Sequence, residues 1–576
     1  MSIEKIKNKN IELLRIISII FVFLFHMNID QFKNGYLGVD VFFVISGFVI
    51  SQSIDKSLKE KSFAILNFYK KRALRLLPEL YLMLLTVGCF SCIFDAPHIT
   101  KNIGQAIIAT TTYLSNIFYY TEIDYFNQFH NSSPLLHTWS LSVEEQFYFI
   151  FPIILYLITP NLKFNRIIWF LLFLLSITFY FIETDVLFRF YYPQFRFWEL
   201  LLGSLCYFYL PRITISPTYW FLLLLFSVLF LTGNTLIIFT LISTSLVLLS
   251  KEKNQNSIQK QIILMGSLTY PFYLWHQPVI YYVQDLFNLT AAFEFAVCLS
   301  LTIFFTILSY ILITKIFTNF KKLSLLAFVT IISLILGYYM HYSNGCFKFK
   351  HQIWGMELRN IDRARIFKAR HAFWTATLNK PTTDSTILII GDSKGEDLLV
   401  ALSITNQKRY LFIKCQTWNY DSLMVDTRFH KYIQSKKIQY VIFSNTWKSS
   451  DLTSCSETIN RVSKIKSTIV LSTCNFEDVF SLLFSMTRKG ISKEEAPKFL
   501  FNSIRQDWKI QSNNLRSLLD LKSVTWLNKE DAFCSNSKCY LYDSTNLYIF
   551  DTGHVTIDGA KKLGSWFTKA LISITK

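Results

Sequence analysis

Two short stretches of the C-terminal third hold the residue types of covalent acyl chemistry. Residues 386–393 read TILIIGDS, an apolar run of strand length that ends in Gly-Asp-Ser. A serine at such a strand-to-helix turn is placed for nucleophilic attack, and the backbone N–H groups at the helix start can stabilise an oxyanion. Residues 551–560 read DTGHVTIDGA. Asp551 and His554, three residues apart before a final helix, can complete a set in which Asp551 orients His554 and His554 deprotonates Ser393.

A second group of ionisable residues sits in apolar surroundings, where each is costly unless it is paired or used. Arg15 and His26 are eleven residues apart, about three helical turns, and share one helix face. His26, with Asp40 of GVDVFFVISGF as its orienter, suits a general base at a polar pocket. Arg72 and Arg75 in KKRALRLLP are spaced i, i+3 on one face and could grip phosphates bidentately. Arg196 and Glu199 in QFRFWELLLG have the same spacing and could pair with each other. His276 in SLTYPFYLWHQP lies mid-span beside Pro278 and is, like Arg196, a candidate for binding substrate. The stretch LHTWSLSVEEQFYFIFP adds His137, Glu144 and Glu145 at the edge of an apolar run.

The elements that must position these residues are of two kinds. Of the 576 residues, 52% are hydrophobic, 55 are Phe, and the mean hydropathy is +0.32, values of a polytopic membrane protein rather than a soluble enzyme. The net charge of +19 resides in short links between apolar runs, which reads as positive-inside topology in a lipid bilayer and not as nucleic-acid binding. Eleven spans are expected, at about 11–29, 36–54, 76–94, 145–160, 166–182, 194–210, 218–232, 234–250, 264–286, 291–315 and 324–341. Lys and Arg alternation puts the N-terminus in the cytoplasm and everything after residue 341 outside. The first apolar run lacks a small-residue cleavage site, so no signal peptide is expected. On this topology residues 95–144 form an outer link. Glu144 and Glu145 then lie at the depth of His26 and Asp40, lining the acceptor-side mouth of a cavity, with pairing to Arg196 open.

Residues 342–380 read as a basic linker. Beyond them, short apolar runs at 386–390, 410–414, 440–444 and 468–471 alternate with amphipathic stretches, the pattern of a three-layer α/β domain with a parallel sheet. Cys534 and Cys539 are close enough to close a small loop in an oxidising compartment, and no cysteine pair has metal-ligand spacing.

Six of these stretches, in order over residues 8 to about 340, resemble the acyltransferase-3 family of integral membrane acyltransferases. The GDS turn with the later DxxH resembles the SGNH (GDSL-like) hydrolases, and the order of the two parts resembles fused sugar O-acetyltransferases. The resemblance implies a membrane domain over 1–320, an additional transmembrane helix over 321–345, a linker over 346–380 and an SGNH-like domain over 381–576. It implies transfer of an acyl group, acetyl first, from cytoplasmic acetyl-CoA to a hydroxyl of a cell-surface glycan. Lipopolysaccharide O-antigen is the first acceptor to consider, in a bacterial cytoplasmic membrane, with no bound cofactor. By motif, His26 is catalytic, Arg72 and Arg75 serve the donor side, and Ser393, His554 and Asp551 form the triad. The family's Gly after the second strand is missing at Cys415-Gln416-Thr417. Its GxND block is reduced to Asn445, which lacks the preceding Gly and is a candidate oxyanion donor. A glycan esterase using the same triad and a transporter of lipid-linked glycan are the alternatives.

Overall fold

The computed structural model describes residues 8–60, 63–125, 133–158, 162–251, 258–287, 289–319, 322–346, 370, 372, 385–405, 409–414, 423, 427–447, 452–476, 479–492, 494–542, 547–549 and 553–575. The chain divides into two units, Met1–Phe347 and Lys348–Lys576.

The first unit is helical: α1 (Lys9–His26), α2 (Gly38–Lys59), α3 (Ile65–Phe94), α4 (Pro97–Thr111), α5 (Ser115–Tyr125), α6 (Thr138–Ile158), α7 (Leu162–Ile182), α8 (Val186–Tyr191), α9 (Phe197–Tyr209), α10 (Pro217–Phe230), α11 (Gly233–Leu249), α12 (Ile258–Leu286), α13 (Ala291–Asn319) and α14 (Lys322–Tyr342). Among the described residues, four helices are long and apolar enough to cross a membrane: Gly35–Lys59, Ile65–Phe94, Ala291–Thr314 and Leu323–Tyr342. Apolar side chains such as Phe170, Leu171, Phe304 and Ile335 point outward and exposed, the inverse of a water-soluble surface. Inside, hydroxyls return to their own helix, as when Ser18 donates to the Leu14 carbonyl (2.7 Å) and Thr244 to that of Thr240 (2.7 Å).

Glycines set the closest helix contact. A Cβ on Gly47 of α2 would lie 1.8 Å from the Leu200 carbonyl oxygen, and one on Gly203 of α9 would lie 2.0 Å from that of Val44. The two backbones can approach this closely only because both residues lack a side chain.

The expected outer link over 95–144 is corrected by the structure. It contains α4 and α5, and α4 packs its buried Ile103, Ala106 and Ile107 against α3 and α14. At 15 residues, interrupted by Lys101, Asn102 and Gln105, α4 is too short and too polar to register as a span. α6 likewise begins at Thr138, seven residues before the expected span at 145.

The second unit is built on a five-stranded parallel sheet in the order β2-β1-β3-β4-β5. Its strands are β1 (Ser385–Gly391), β2 (Arg409–Lys414), β3 (Tyr440–Ser444), β4 (Ser467–Leu471) and β5 (Val524–Leu527). Side chains alternate across it. Ile387, Ile389, Ile442 and Ile469 pack with Leu398, Leu402, Phe567 and Leu571 from α15 (Ser393–Thr405) and α21 (Ile557–Thr575). Leu388, Ile390, Val441, Phe443 and Val470 face the other way, toward Phe429 of α16 (Thr427–Gln434), Ile459 of α17 (Leu452–Ser463) and Leu515 of α20 (Gln506–Leu518). Between α17 and α20 run α18 (Val479–Arg488) and α19 (Ala496–Asn502). Four strands coincide with the expected runs. β5, VTWL, is broken by Thr525 and presents no continuous apolar run. Cys534 and Cys539 form a disulfide.

Candidate functional site

Among the described residues, each unit carries a cluster of reactive groups. In the second, β1 ends at Gly391, whose Cβ would lie 2.0 Å from the Ser444 carbonyl oxygen, so the chain can turn only with glycine there. Asp392 makes the turn. Its Oδ1 accepts from the Lys394 N–H (2.8 Å) and its Oδ2 from the Thr446 N–H (3.0 Å). Ser393 opens α15, and its Oγ lies 2.9 Å from His554 Nε2. The serine–histidine pair expected from GDS and DxxH is therefore assembled across 161 residues of sequence. Asp551 and the segment Cys415-Gln416-Thr417 lie outside the described residues. Asn445 stands at the end of β3, where its Oδ1 accepts from the Asp392 N–H (3.1 Å). That bond ties the strand to the nucleophile turn and leaves the amide's Nδ2 edge as its donor side.

Charges beneath this turn escaped the sequence reading. Lys394 and Lys529 are 4% and 3% exposed. Burial, then the neighbouring Lys394, lowers the Lys529 ammonium from 10.5 to about 8, while Asp397, Cys474 and Asp392 oppose the shift. Burial likewise pushes the Cys474 thiol up to about 12. A Cβ on Gly553 would lie 2.2 Å from Asn475 Oδ1 and 2.7 Å from Lys394 Nζ, so a glycine there lets the His554 loop rest on these groups. Arg370, within the segment read as linker, forms an ion pair with Asp397 of α15 and donates to the Val555 carbonyl (3.1 Å). It thus braces the nucleophile helix against the neighbour of His554. No local pattern around Arg370 signalled these distant partners.

In the membrane unit, His26 ends α1 and His276 lies on α12 between Pro271 and the helix beyond Pro278. His276 Nε2 is 3.2 Å from His26 Nδ1, and His276 Nδ1 is 2.6 Å from the Tyr273 carbonyl oxygen. His137, just before α6, packs edge-on against both His276 and Tyr273, with ring centroids 5.2 Å and 5.3 Å away. The Tyr273 hydroxyl bonds the His137 carbonyl (2.8 Å) and Ser140 Oγ (2.6 Å). The sequence marks His137 as an ionisable residue at the edge of an apolar run, and the structure brings it against the other two rings.

From Ser140 and Tyr273 a cavity of about 760 Å³ extends between α2, α3, α6 and α12 to Ser57, Ala64 and Asn67 at the opposite helix ends. Arg15, Lys71, Arg72 and Arg75 line it, as do Glu79, Glu144 and Glu145. Arg72 donates twice to Glu145 Oε1 (2.9 and 2.8 Å), approaches Glu144 at 3.6 Å, and stacks 3.3 Å above the Tyr148 ring. Ser46 and Tyr148 hydroxyls both donate to Glu144 Oε1 at 2.5 Å. Arg75 forms no ion pair among the described residues.

Two expectations are corrected here. Glu144 and Glu145 do not lie level with His26, nor do they pair with Arg196. Because α6 starts at Thr138 beside the histidines, they sit about 10 Å further along it, neutralising the half-buried Arg72. Asp40 does not orient His26. It pairs with Arg196 (2.8 Å), which also reaches Glu199 (3.2 Å), in a buried triad joining α2 to α9. The Arg196–Glu199 pairing agrees with the i, i+3 reading.

Comparison with known proteins gives the same division. A family model described as "Acyltransferase domain" matches residues 8–314, and one described as "SGNH domain (fused to AT3 domains)" matches residues 363–569. The chain is 30% identical over 309 residues to O-acetyltransferase OatA of Staphylococcus aureus strain NCTC 8325, covering 47% of this chain and 50% of that one. The chain thus spans about half the length of the curated relatives it matches. Among solved structures, the periplasmic domain of the lipopolysaccharide acetyltransferase of Salmonella ser. Paratyphi A is similar. It has 12% identity and a TM-score of 0.30, covering 38% of this chain and 99% of that one.

Proposed function

The chain belongs to the acyltransferase-3 family of membrane acyltransferases, with a fused SGNH domain, and from that premise we propose that it is a two-stage O-acetyltransferase of a cell-surface glycan. The observation that carries this reading is the long cavity. It has four cationic side chains along its length and ends at the Ser140–Tyr273 pair, against which the histidine cluster packs. Such a space suits a long anionic donor with a reactive end, as acetyl-CoA is. Arg75, which forms no ion pair within 4 Å among the described residues, is the first grip for its phosphates, with Lys71 and Arg15. Arg72 is held ready by Glu145 and Tyr148.

In the first stage His26 takes the proton of a hydroxyl on a carrier alcohol, the oxygen adds to the thioester carbonyl, and CoA leaves as the thiol with that proton. In the second, His554 deprotonates Ser393, whose oxygen attacks the carrier's acetyl ester, and the carrier alcohol leaves with the proton from His554; a sugar hydroxyl then gives its proton to His554, attacks the acetyl-serine, and His554 returns the proton to Ser393. Asp551 orients His554, and Asn445 Nδ2 with the N–H groups opening α15 stabilises the oxyanion. The topology has the N-terminus in the cytoplasm and the SGNH domain outside, in a bacterial cytoplasmic membrane. The Cys534–Cys539 disulfide supports an oxidising surrounding for that domain. Lipopolysaccharide O-antigen is the first acceptor to examine.

Mass spectrometry of surface glycan from cells with and without the protein tests the reading. Alkali-labile acetate is expected only with it, and lipopolysaccharide is the fraction to inspect first. Unchanged acetate in every glycan fraction overturns the proposal, and acetate that rises in Ser393→Ala points to an esterase instead.

A further inference from the structure

The ring contacts around His26 have a direction. A carbonyl oxygen only accepts, so the 2.6 Å contact between His276 Nδ1 and the Tyr273 carbonyl puts a proton on that nitrogen. A neutral imidazole holds one proton, which leaves His276 Nε2 as a lone pair. That lone pair lies 3.2 Å from His26 Nδ1, so the proton between the rings belongs to His26. His26 is then protonated on Nδ1 and bare on Nε2.

We propose that His276 is the positioning residue of His26, fixing through the Tyr273 carbonyl the tautomer whose Nε2 acts as base. The inference rests on the reading of His26 as that base. It gives His276 a role different from substrate binding, the use expected from the sequence. The usual orienter of a catalytic histidine is a carboxylate. Here Asp40, the orienter expected from the sequence, is committed to Arg196 (2.8 Å), and a second imidazole takes its place. The ring is held for this task. His276 is 0% exposed, and His137 and Tyr273 pack against it with centroids 5.2 and 5.3 Å away. When the attacking hydroxyl gives its proton to His26 Nε2, the resulting imidazolium keeps donating from Nδ1 to the His276 lone pair. The proton on Nε2 then passes to the departing CoA sulfur, which leaves as the thiol, and both rings return to their starting forms.

The test compares His276→Ala, which removes the acceptor, with His276→Gln, whose Oε1 can accept from His26 Nδ1 while its amide donates to the Tyr273 carbonyl. Sealed inside-out membrane vesicles receive labelled acetyl-CoA, and alkali-labile acetate is counted. We expect His276→Ala to lose about 100-fold or more in kcat with KM for acetyl-CoA within about two-fold, and His276→Gln to stay within about 10-fold of wild type. Alanine within about three-fold of wild type overturns the inference, as does glutamine no better than alanine. Should His276→Ala fail to fold, 15N solid-state NMR of histidine-labelled wild-type protein in bilayers decides, because Nδ1-protonated His26 is required and the other tautomer contradicts it. His26→Ala separates the two levels. If it is inactive while His276→Ala is active, only the pairing falls. If it is fully active, the role of His26 falls and the pairing with it.

Discussion

In the C-terminal domain His554 meets a serine hydroxyl at 2.9 Å, at the start of a helix and above two buried lysines. In the membrane domain His26 meets another imidazole at 3.2 Å, and the carboxylates lie about two helical turns away, bound to Arg72. The first arrangement suits a nucleophile that is itself acylated. The second has no hydroxyl in hydrogen-bond contact with His26 among the described residues, so the attacking group must come with a substrate. On the proposed reading, a base in low-dielectric surroundings has a neutral orienter, and the ion pairs lie along the cavity where a charged donor would dock.

Mutations can break this comparison. The largest effect is expected at Ser393. Ser393→Ala should lower glycan acetate at least 10³-fold and leave acetyl-CoA affinity unchanged, measured on vesicles by acetate release and donor binding. A loss of donor affinity would contradict the separation of the two sites. The next pair sharpens the membrane side. Arg72→Ala leaves the half-buried Glu144 and Glu145 without their cation, and should destabilise the membrane domain by about 2 kcal/mol, read as a lowered thermal unfolding temperature in detergent. Arg75→Ala breaks no ion pair among the described residues, and should leave unfolding unchanged while raising KM for acetyl-CoA about 10-fold. Equal effects in the two variants would dissolve the distinction between holding the cavity and gripping the donor.

The smallest effect concerns Lys529. Its folded value, about 8, lies below the ordinary 10.5, so the unfolded chain binds more protons between these limits. The contribution to stability is therefore present above pH 10.5 and is lost as pH falls through 8. Lys529→Met should flatten the C-terminal domain's unfolding temperature over that window, by a few degrees, and change activity less than about two-fold. An unaltered pH slope would mean that Lys529 is not the group responsible.

What could be read from sequence follows how local each signal is. Ser393 and His554 were legible because a strand-turn-helix and a final helix each announce themselves within ten residues. The five-stranded sheet was legible in four of its strands because they are continuous apolar runs. The depth of Glu144 and Glu145 was not, because the first turns of α6 are polar and hydropathy places the edge of the span too late. α4 was hidden for the same reason, and Arg370 because its partners lie 27 and 185 residues away. The His26–His276 contact spans 250 residues, so no local pattern announces it.

In the proposed reaction the acetyl group passes through both sites in turn. Sealed inside-out vesicles given labelled acetyl-CoA, which does not cross the bilayer, test it directly. Alkali-labile acetate is expected on glycan inside the vesicles with the wild-type chain, and is expected to be lost in His26→Ala and in Ser393→Ala alike. Undiminished transfer in either variant would contradict it.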